Sequence, residues 1–325
     1  MLIYHRIIVR VITINILQSN PLFMLQAYYT DHFVLPLPPG HRFPMKKYQM
    51  LRDEISTYLD VELDEAPLAS LEELLLAHDT DYIERVFQGQ LTEAEQREIG
   101  FPWSEKMVIR SRRSAGATIA ACNAAWKNGV GVNLAGGTHH AYANKGSGFC
   151  VFNDAAIAAK KIQLNRYNHF KRDLRVAIID LDVHQGNGSA SILKEDASVF
   201  TFSMHGEKNF PFRKESSDLD IGLPDGCEDE EYLNALQDGL DQIEIIFKPE
   251  FVIYLAGADP YHGDRLGRLH LTIEGLGKRD EKVLQWCFKS KIPIAIAMAG
   301  GYGNSIEETV AIHAQTIRKA IAFQW

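Results

Sequence analysis

The stretch Val176-Ala-Ile-Ile-Asp-Leu-Asp-Val-His-Gln-Gly-Asn-Gly188 delivers Asp180, Asp182, His184 and Asn187 in quick succession, straight after an apolar run from Val176 to Ile179. Carboxylates and an imidazole at the end of a buried strand carry a large desolvation cost unless something offsets it, and a metal ion is the usual partner. A further carboxylate, Asp259, closes Ala256-Gly-Ala-Asp259. Asp182, His184 and Asp259 together make three ligands with a position left open, the arrangement of a catalytic zinc site. Their oxygen-rich donor set also admits Fe²⁺, Co²⁺ or Mn²⁺. His139 and His140 follow the pivot Gly136-Gly137. From a loop both can face a metal-activated water, one taking its proton and later handing it to a leaving amine. Each needs a partner to fix its tautomer, and Asp180 and Asn187 are available. Tyr302, between Gly301 and Gly303, can lend a hydroxyl to a carbonyl oxygen gaining negative charge. Gly148-Phe149 can wall a narrow channel. Taken singly, each has a plainer reading: a turn acid before Pro260, a surface histidine pair, a packing tyrosine, a core phenylalanine.

The elements around these residues favour the chemical reading. Short apolar runs at 131–135, 176–181, 198–203, 251–256 and 293–298 alternate with amphipathic stretches near 154–165, 229–247, 273–290 and 305–322. Continuous apolar strands alternating with helices predict an α/β fold: one domain, a central, mostly parallel sheet, helices on both faces. Sites in such folds lie at the carboxyl ends of the strands. Gly136–His140, Asp180–Asn187, Gly257–Asp259 and Gly300–Gly303 all stand there, so four strand ends converge on one rim. Upstream, helices are expected at 45–59, after the capping box Ser70…Glu73, from about His78, and from Glu105 to Asn128 with Gly129 as C-cap. The Pro-rich stretch from Tyr28 to Pro44 reads as an irregular loop.

Composition narrows the class. The 325 residues are 46% hydrophobic and carry a formal net charge of -8, which disfavours nucleic acid as a partner. Cys122, Cys150, Cys227 and Cys287 are widely spaced and form no CxxC pair, which fits a reducing, cytoplasmic setting and argues against both a disulfide framework and a cysteine zinc site. The apolar run 11–17 is too short to span a bilayer, so no membrane partner is expected. Residues 1–23 read either as containing a strand or as an upstream extension ahead of Met24; the extension is the preferred expectation, with the catalytic domain at 24–325.

The motifs Gly136-Gly-Thr-His-His-Ala141, Gly148-Phe149, Asp180-Leu-Asp-Val-His-Gln-Gly-Asn-Gly188, Ala256-Gly-Ala-Asp259 and Gly300-Gly-Tyr-Gly303 occur in that order. Together they resemble the zinc-dependent histone deacetylase family, of the arginase/deacetylase fold, from about Phe33 to the C-terminus. Two further segments, His41–Tyr48 and Gly263-Asp-Arg-Leu-Gly267 with Gly277-Lys-Arg-Asp-Glu281, look like its class IV and bacterial branch. The resemblance implies Zn²⁺ on Asp182, His184 and Asp259. It implies His140 as general base and acid, His139 as its electrostatic partner, Asp180 paired with His139, and Asn187 with His140. Asn187 stands where class I members have Asp. Tyr302 would polarise the carbonyl, and Gly148 and Phe149 would line an acyl-lysine tunnel. A structural monovalent cation, K⁺, is implied near Asp180, Asp182, His184, Ser203 and Met204. Arginase-type relatives hold two Mn²⁺ ions with bridging carboxylates; Gln185 and Asn187 stand after His184, so one metal is expected. The implied activity is removal of acetyl or longer acyl groups from the lysines of a protein or peptide. An acetylpolyamine or other small acylated amine is the alternative substrate, and a non-catalytic acyl-lysine binding protein the alternative class.

Overall fold

The computed structural model describes residues 24–325. The expectations for residues 1–23, a strand or an extension, lie outside the described residues. Eight strands form one sheet: β1 (Leu25–Tyr29), β2 (Val61–Glu65), β3 (Val130–Asn133), β4 (Val176–Asp180), β5 (Val199–Gly206), β6 (Leu219–Leu223), β7 (Phe251–Leu255) and β8 (Ile294–Ala297). The order across the sheet is β2-β1-β3-β8-β7-β4-β5-β6, and every ladder is parallel. The helices are α1 (Lys46–Ile55), α2 (Leu71–Leu74), α3 (Thr80–Gln88), α4 (Glu93–Ile99), α5 (Glu105–Asn128), α6 (Asp154–Phe170), α7 (Asn187–Leu193), α8 (Asp229–Ile246), α9 (Ile273–Lys289) and α10 (Ile306–Ile321).

Both faces of the sheet are covered, which explains the unbroken apolar runs. Along β7, Val252 and Tyr254 belong to the core that includes Leu240 of α8, Leu284 of α9 and Ile317 of α10. Phe251, Ile253 and Leu255 point into the opposite core with Ile83 of α3, Ala121 of α5 and Ile157 of α6. The period-two alternation of a strand thus buries every residue when helices lie on both sides. On β3 the contact is close: a Cβ at Gly131 would collide with the Ala121 carbonyl, so the glycine lets the alanine-rich α5 lie directly on the strand.

Several boundaries differ from the sequence reading. The capping box is present, Ser70 Oγ accepting from Glu73 N, but the helix it starts is a single turn. The helix expected from about His78 begins at Thr80, with Asp79 as N-cap. Tyr28 and Tyr29 end a strand rather than begin a loop; beyond them, up to Pro44, the chain has no helix or strand. The helix expected at 154–165 runs on to Phe170. Gly129 ends α5 with φ 85°, as a C-cap glycine should.

Candidate active site

The four loops expected to carry chemistry follow β3, β8, β7 and β4, which are consecutive neighbours at the centre of the sheet. This adjacency brings their carboxyl ends together. Asp182, His184 and Asp259 are buried, and one donor atom from each lies within 4.8 Å of the others. His184 Nδ1 stands 2.9 Å from Asp182 Oδ1 and 3.3 Å from Asp259 Oδ2. The remaining carboxylate oxygens are held by backbone: Asp182 Oδ2 accepts from Gly300 N (2.8 Å), and Asp259 Oδ1 from Val183 N (2.9 Å). Asp259 Oδ2 is buried without a well-aligned donor. Burial and the charge of Asp182 push the Asp259 carboxyl up to about 7. Two carboxylates this close and this dry repel unless a cation sits between them, so the donor set fits a divalent metal ion. A Cβ on Gly300 would collide with oxygens of both carboxylates, which explains a glycine there.

The histidine pair is arranged as two different groups. His139 Nδ1 and Asp180 Oδ2 are 2.6 Å apart, and its Nε2 lies 3.9 Å from Asp182 Oδ1. Burial opposes charge on His139, but Asp180 and Asp182 outweigh it and push the imidazole up to about 9. His140 Nδ1 stands 2.6 Å from Asn187 Oδ1, and an amide oxygen can only accept, so Nδ1 carries the proton and Nε2 is free to accept another. Burial holds His140 well below the usual imidazole range, and the cations of His139 and His184 add to it. Asn187 in turn donates to Tyr142 Oη (2.8 Å). The result is a charged His139 beside a neutral His140, their ring centroids 4.1 Å apart.

These groups open into a cavity of about 830 Å³ that also reaches Gly148, Phe149, Phe210 and Tyr302. Phe149 adopts φ 66° and packs near Phe101, Phe43 and Tyr302. Phe210 stands edge-on to His140, at 4.9 Å. A Cβ on Gly148 would strike the His140 ring. The Tyr302 hydroxyl makes no hydrogen bond among the described residues, whereas its main chain is clamped. Its N donates to Asp264 Oδ2 (2.5 Å), and its O accepts from Arg265 Nε (2.8 Å). Lys47 Nζ sits 5.5 Å from its ring centroid and donates to the Ala299 and Gly301 carbonyls. Ser203, paired in register with Asp180, and Met204 are buried on β5 beside the ligand loop.

Several supports go beyond the sequence reading, which matches Arg279 and Asp280 to the family-like segment Gly277–Glu281 without giving them a role. Asp154, first in α6, accepts from Gly137 N and Thr138 N and so fixes the turn before the histidines. Arg279, fully buried on α9, donates to the Gly257 carbonyl (2.6 Å) and the Leu181 carbonyl (3.3 Å). Those carbonyls stand beside the two loops that carry Asp182 and Asp259. Asp280 Oδ1 accepts from Arg279 Nε and from the Tyr254 hydroxyl, and Asp280 Oδ2 from Thr316. His78 accepts from Asn153 N and bonds the Tyr142 carbonyl, closing the loop that holds both histidines. Asn153 Nδ2 then donates to the Ala141 carbonyl at 3.0 Å.

Burial pushes His78 down to about 4. The unfolded chain takes up this proton near pH 6.5, and the folded chain only near 4. The contribution of His78 to stability is therefore full above pH 6.5 and is lost as pH drops towards 4, by about 3 kcal/mol over the whole interval. In urea unfolding, His78→Gln should lose less between pH 7.5 and pH 5 than the parent, by about 2 kcal/mol. Equal losses in both proteins would show that His78 does not set this slope.

Comparison with known proteins agrees with the geometry. A family model described as "Histone deacetylase domain" matches residues 41–317. An uncharacterized protein of Picosynechococcus sp. is 42% identical over 299 residues, covering 90% of this chain and 97% of its own. Histone deacetylase 2 of Arabidopsis thaliana is 33% identical over 253 residues, 75% of this chain and 64% of that protein. The crystal structure of an HDAC homolog complexed with SAHA superimposes with a TM-score of 0.77 at 25% identity, covering 91% of this chain and 84% of that one.

Proposed function

Because the chain belongs to the histone deacetylase family, we propose that it is a metal-dependent hydrolase that removes acetyl or longer acyl groups from lysine side chains. One observation carries this reading: four neighbouring strand ends gather a buried Asp182–His184–Asp259 donor set, the free Nε2 of His140 and the unengaged hydroxyl of Tyr302 into one cavity. A Zn²⁺ ion on Asp182, His184 and Asp259, or Fe²⁺ or Co²⁺ in its place, would supply Lewis acidity towards the acyl carbonyl and a water of lowered pKa.

The protein's own groups do the rest. His140 Nε2 takes the proton of the attacking water, and Asn187 keeps the tautomer that leaves this nitrogen open. The same nitrogen, or His139, returns a proton to the departing amine. His139, charged beside Asp180, adds positive potential where negative charge develops. Tyr302 donates its hydroxyl to the oxyanion. Gly148 and Phe149 on one side and Phe210 on the other hold the lysine stem and exclude water. The same reading includes a K⁺ near Asp180, Asp182, His184, Ser203 and Met204. It assigns residues 24–325 as the catalytic domain, with 1–23 as an extension. A cytoplasmic setting fits the four cysteines, all free; no helix among the described residues is long and apolar enough to cross a membrane.

The test is a substrate screen on purified protein reloaded with Zn²⁺, Fe²⁺ and Co²⁺ in turn, using acetyl-lysine peptides, fatty-acyl-lysine peptides and N-acetylpolyamines. Turnover of acyl-lysine should disappear on chelation and return with metal. Activity that survives exhaustive chelation would refute the metal-dependent reading, and tight peptide binding without turnover in reloaded protein would leave an acyl-lysine binding protein.

A further inference from the structure

Cations gather at the mouth of the cavity although the chain as a whole is acidic, with a net charge of -8. Arg42, Arg97, Lys145, Lys208, Arg213 and Arg268 all line it. They arrive from separate segments: the loop before α1, α4, the loop after β3, the loop after β5 and the loop after β7. Nearby carboxylates answer only part of this charge. Glu98 takes Lys145 (2.7 Å) and Glu93 takes Arg97 (3.4 Å). Asp225 is shared by Arg268 (3.2 Å) and Lys208 (3.7 Å), and Glu215 accepts from the Tyr142 hydroxyl. Arg42 and Arg213 are exposed, and neither forms an ion pair among the described residues.

The loop that presents Arg213 is anchored. Lys214 Nζ donates to the Asn209 and Pro211 carbonyls, and Asn209 Nδ2 to the Leu266 carbonyl. Its tip carries Phe212, 87% exposed, beside Phe210, which stands against His140. An exposed aromatic and an unpaired arginine thus stand together at the entrance, while the carboxylates that line the cavity beside the histidines, Asp182 and Asp259, are buried.

We propose that this rim selects acyl-lysines flanked by acidic residues and disfavours both basic peptide segments and cationic small amines. The proposal rests on the deacylase reading above and adds the substrate class. Charges around a cleft with low-dielectric walls focus their field outwards and act on encounter and binding. They lie at the surface, so salt screens them over about 8–10 Å. A polyamine must carry its remaining ammonium groups past this net positive rim, in which Arg42 and Arg213 have no carboxylate partner among the described residues, and that sets it against this entrance. A lysine-rich tail meets the same repulsion.

Three peptides with one acetyl-lysine core and acidic, neutral or basic flanks test this, each measured at low and at high salt on metal-loaded protein. At low salt kcat/KM should favour the acidic peptide over the basic one by about tenfold, carried in KM, and the gap should shrink at high salt. Arg42→Glu with Arg213→Glu should reverse the order, each protein being referred to its own turnover of the neutral peptide. Equal kcat/KM at low salt, a preference for basic flanks, or a preference that survives the charge reversal would overturn the proposal. Fluorescence anisotropy of the labelled peptides reads the same order without chemistry. If no peptide is turned over, the deacylase reading fails, and the order of the dissociation constants still decides the role of the rim.

Discussion

Asp259→Asn should cut kcat/KM on an acyl-lysine peptide by about 10³-fold or more while leaving the metal-free protein folded and no less stable than the parent. The amide is the same shape as the carboxylate, and its oxygen can keep the bond that Asp259 Oδ1 accepts from Val183 N. What it removes is one of two buried anions crowded round His184, the one whose Oδ2 has no well-aligned donor. Metal Lewis acidity contributes several kcal/mol to the transition state, and each 1.36 kcal/mol is about tenfold in rate. In the metal-free state the same substitution removes the repulsion between two buried carboxylates at the expense of one contact to His184, which keeps Asp182 as its partner, so the two effects offset each other. Two measurements therefore diverge: metal affinity by chelator competition falls, and the melting temperature of the metal-free protein does not. A variant that binds zinc as tightly as the parent would remove Asp259 from the ligand set, and a large drop in metal-free stability would mean that its role is structural.

Tyr302→Phe should lower kcat by about 10²–10³-fold with KM little changed, the signature of a donor that acts on the oxyanion and not on the bound substrate. Three features lead to this expectation. Tyr302 lines the cavity, and its hydroxyl makes no hydrogen bond among the described residues. Burial holds it well above the usual phenol range, so it remains a donor. Its backbone is pinned on both sides, by Asp264 and Arg265, so the ring has little freedom to lose when substrate arrives. Steady-state kinetics on one acetyl-lysine peptide, with the thermal midpoint measured alongside, settles the matter. A rise in KM with kcat intact would make Tyr302 a wall of the tunnel and nothing more.

The strands that the sequence revealed are those with a helix on each side. β4, β7 and β8 are apolar throughout because both faces are buried, and such runs stand out in any reading. The strands that escaped it lie towards the edges. β2, Val61-Glu-Leu-Asp-Glu65, buries one residue of five, and β6, Leu219-Asp-Ile-Gly-Leu223, also buries one, its apolar residues separated by Asp220 and Gly222. Neither presents a run of the kind that marks a buried strand, and their pairing depends on neighbours far along the chain. The clustering of Asp182, His184 and Asp259 with the histidine pair was legible because polar groups at the end of an apolar strand need a reason to be there. The roles of Asp154, His78 and Arg279 were not, because each acts on the main chain of another segment, although Arg279 stands in the matched segment Gly277–Glu281. A hydrogen bond to a carbonyl leaves no mark on the residue that owns the carbonyl. Arg279 and Asp280, adjacent on an amphipathic helix, have the look of a solvated face, yet both are buried.

Arg279 grips the Leu181 and Gly257 carbonyls, not the side chains of Asp182 or Asp259. Placement of the ligand positions is thereby separated from the identity of the ligands. A change of His184 to a carboxylate, or of a carboxylate to an imidazole, would leave the guanidinium and both carbonyls where they are. If the cluster holds a metal ion as proposed, such a scaffold would let metal preference drift by single substitutions, without the fold having to be reinvented at each step. Evolvability of the centre is then a property of an arginine that never touches it.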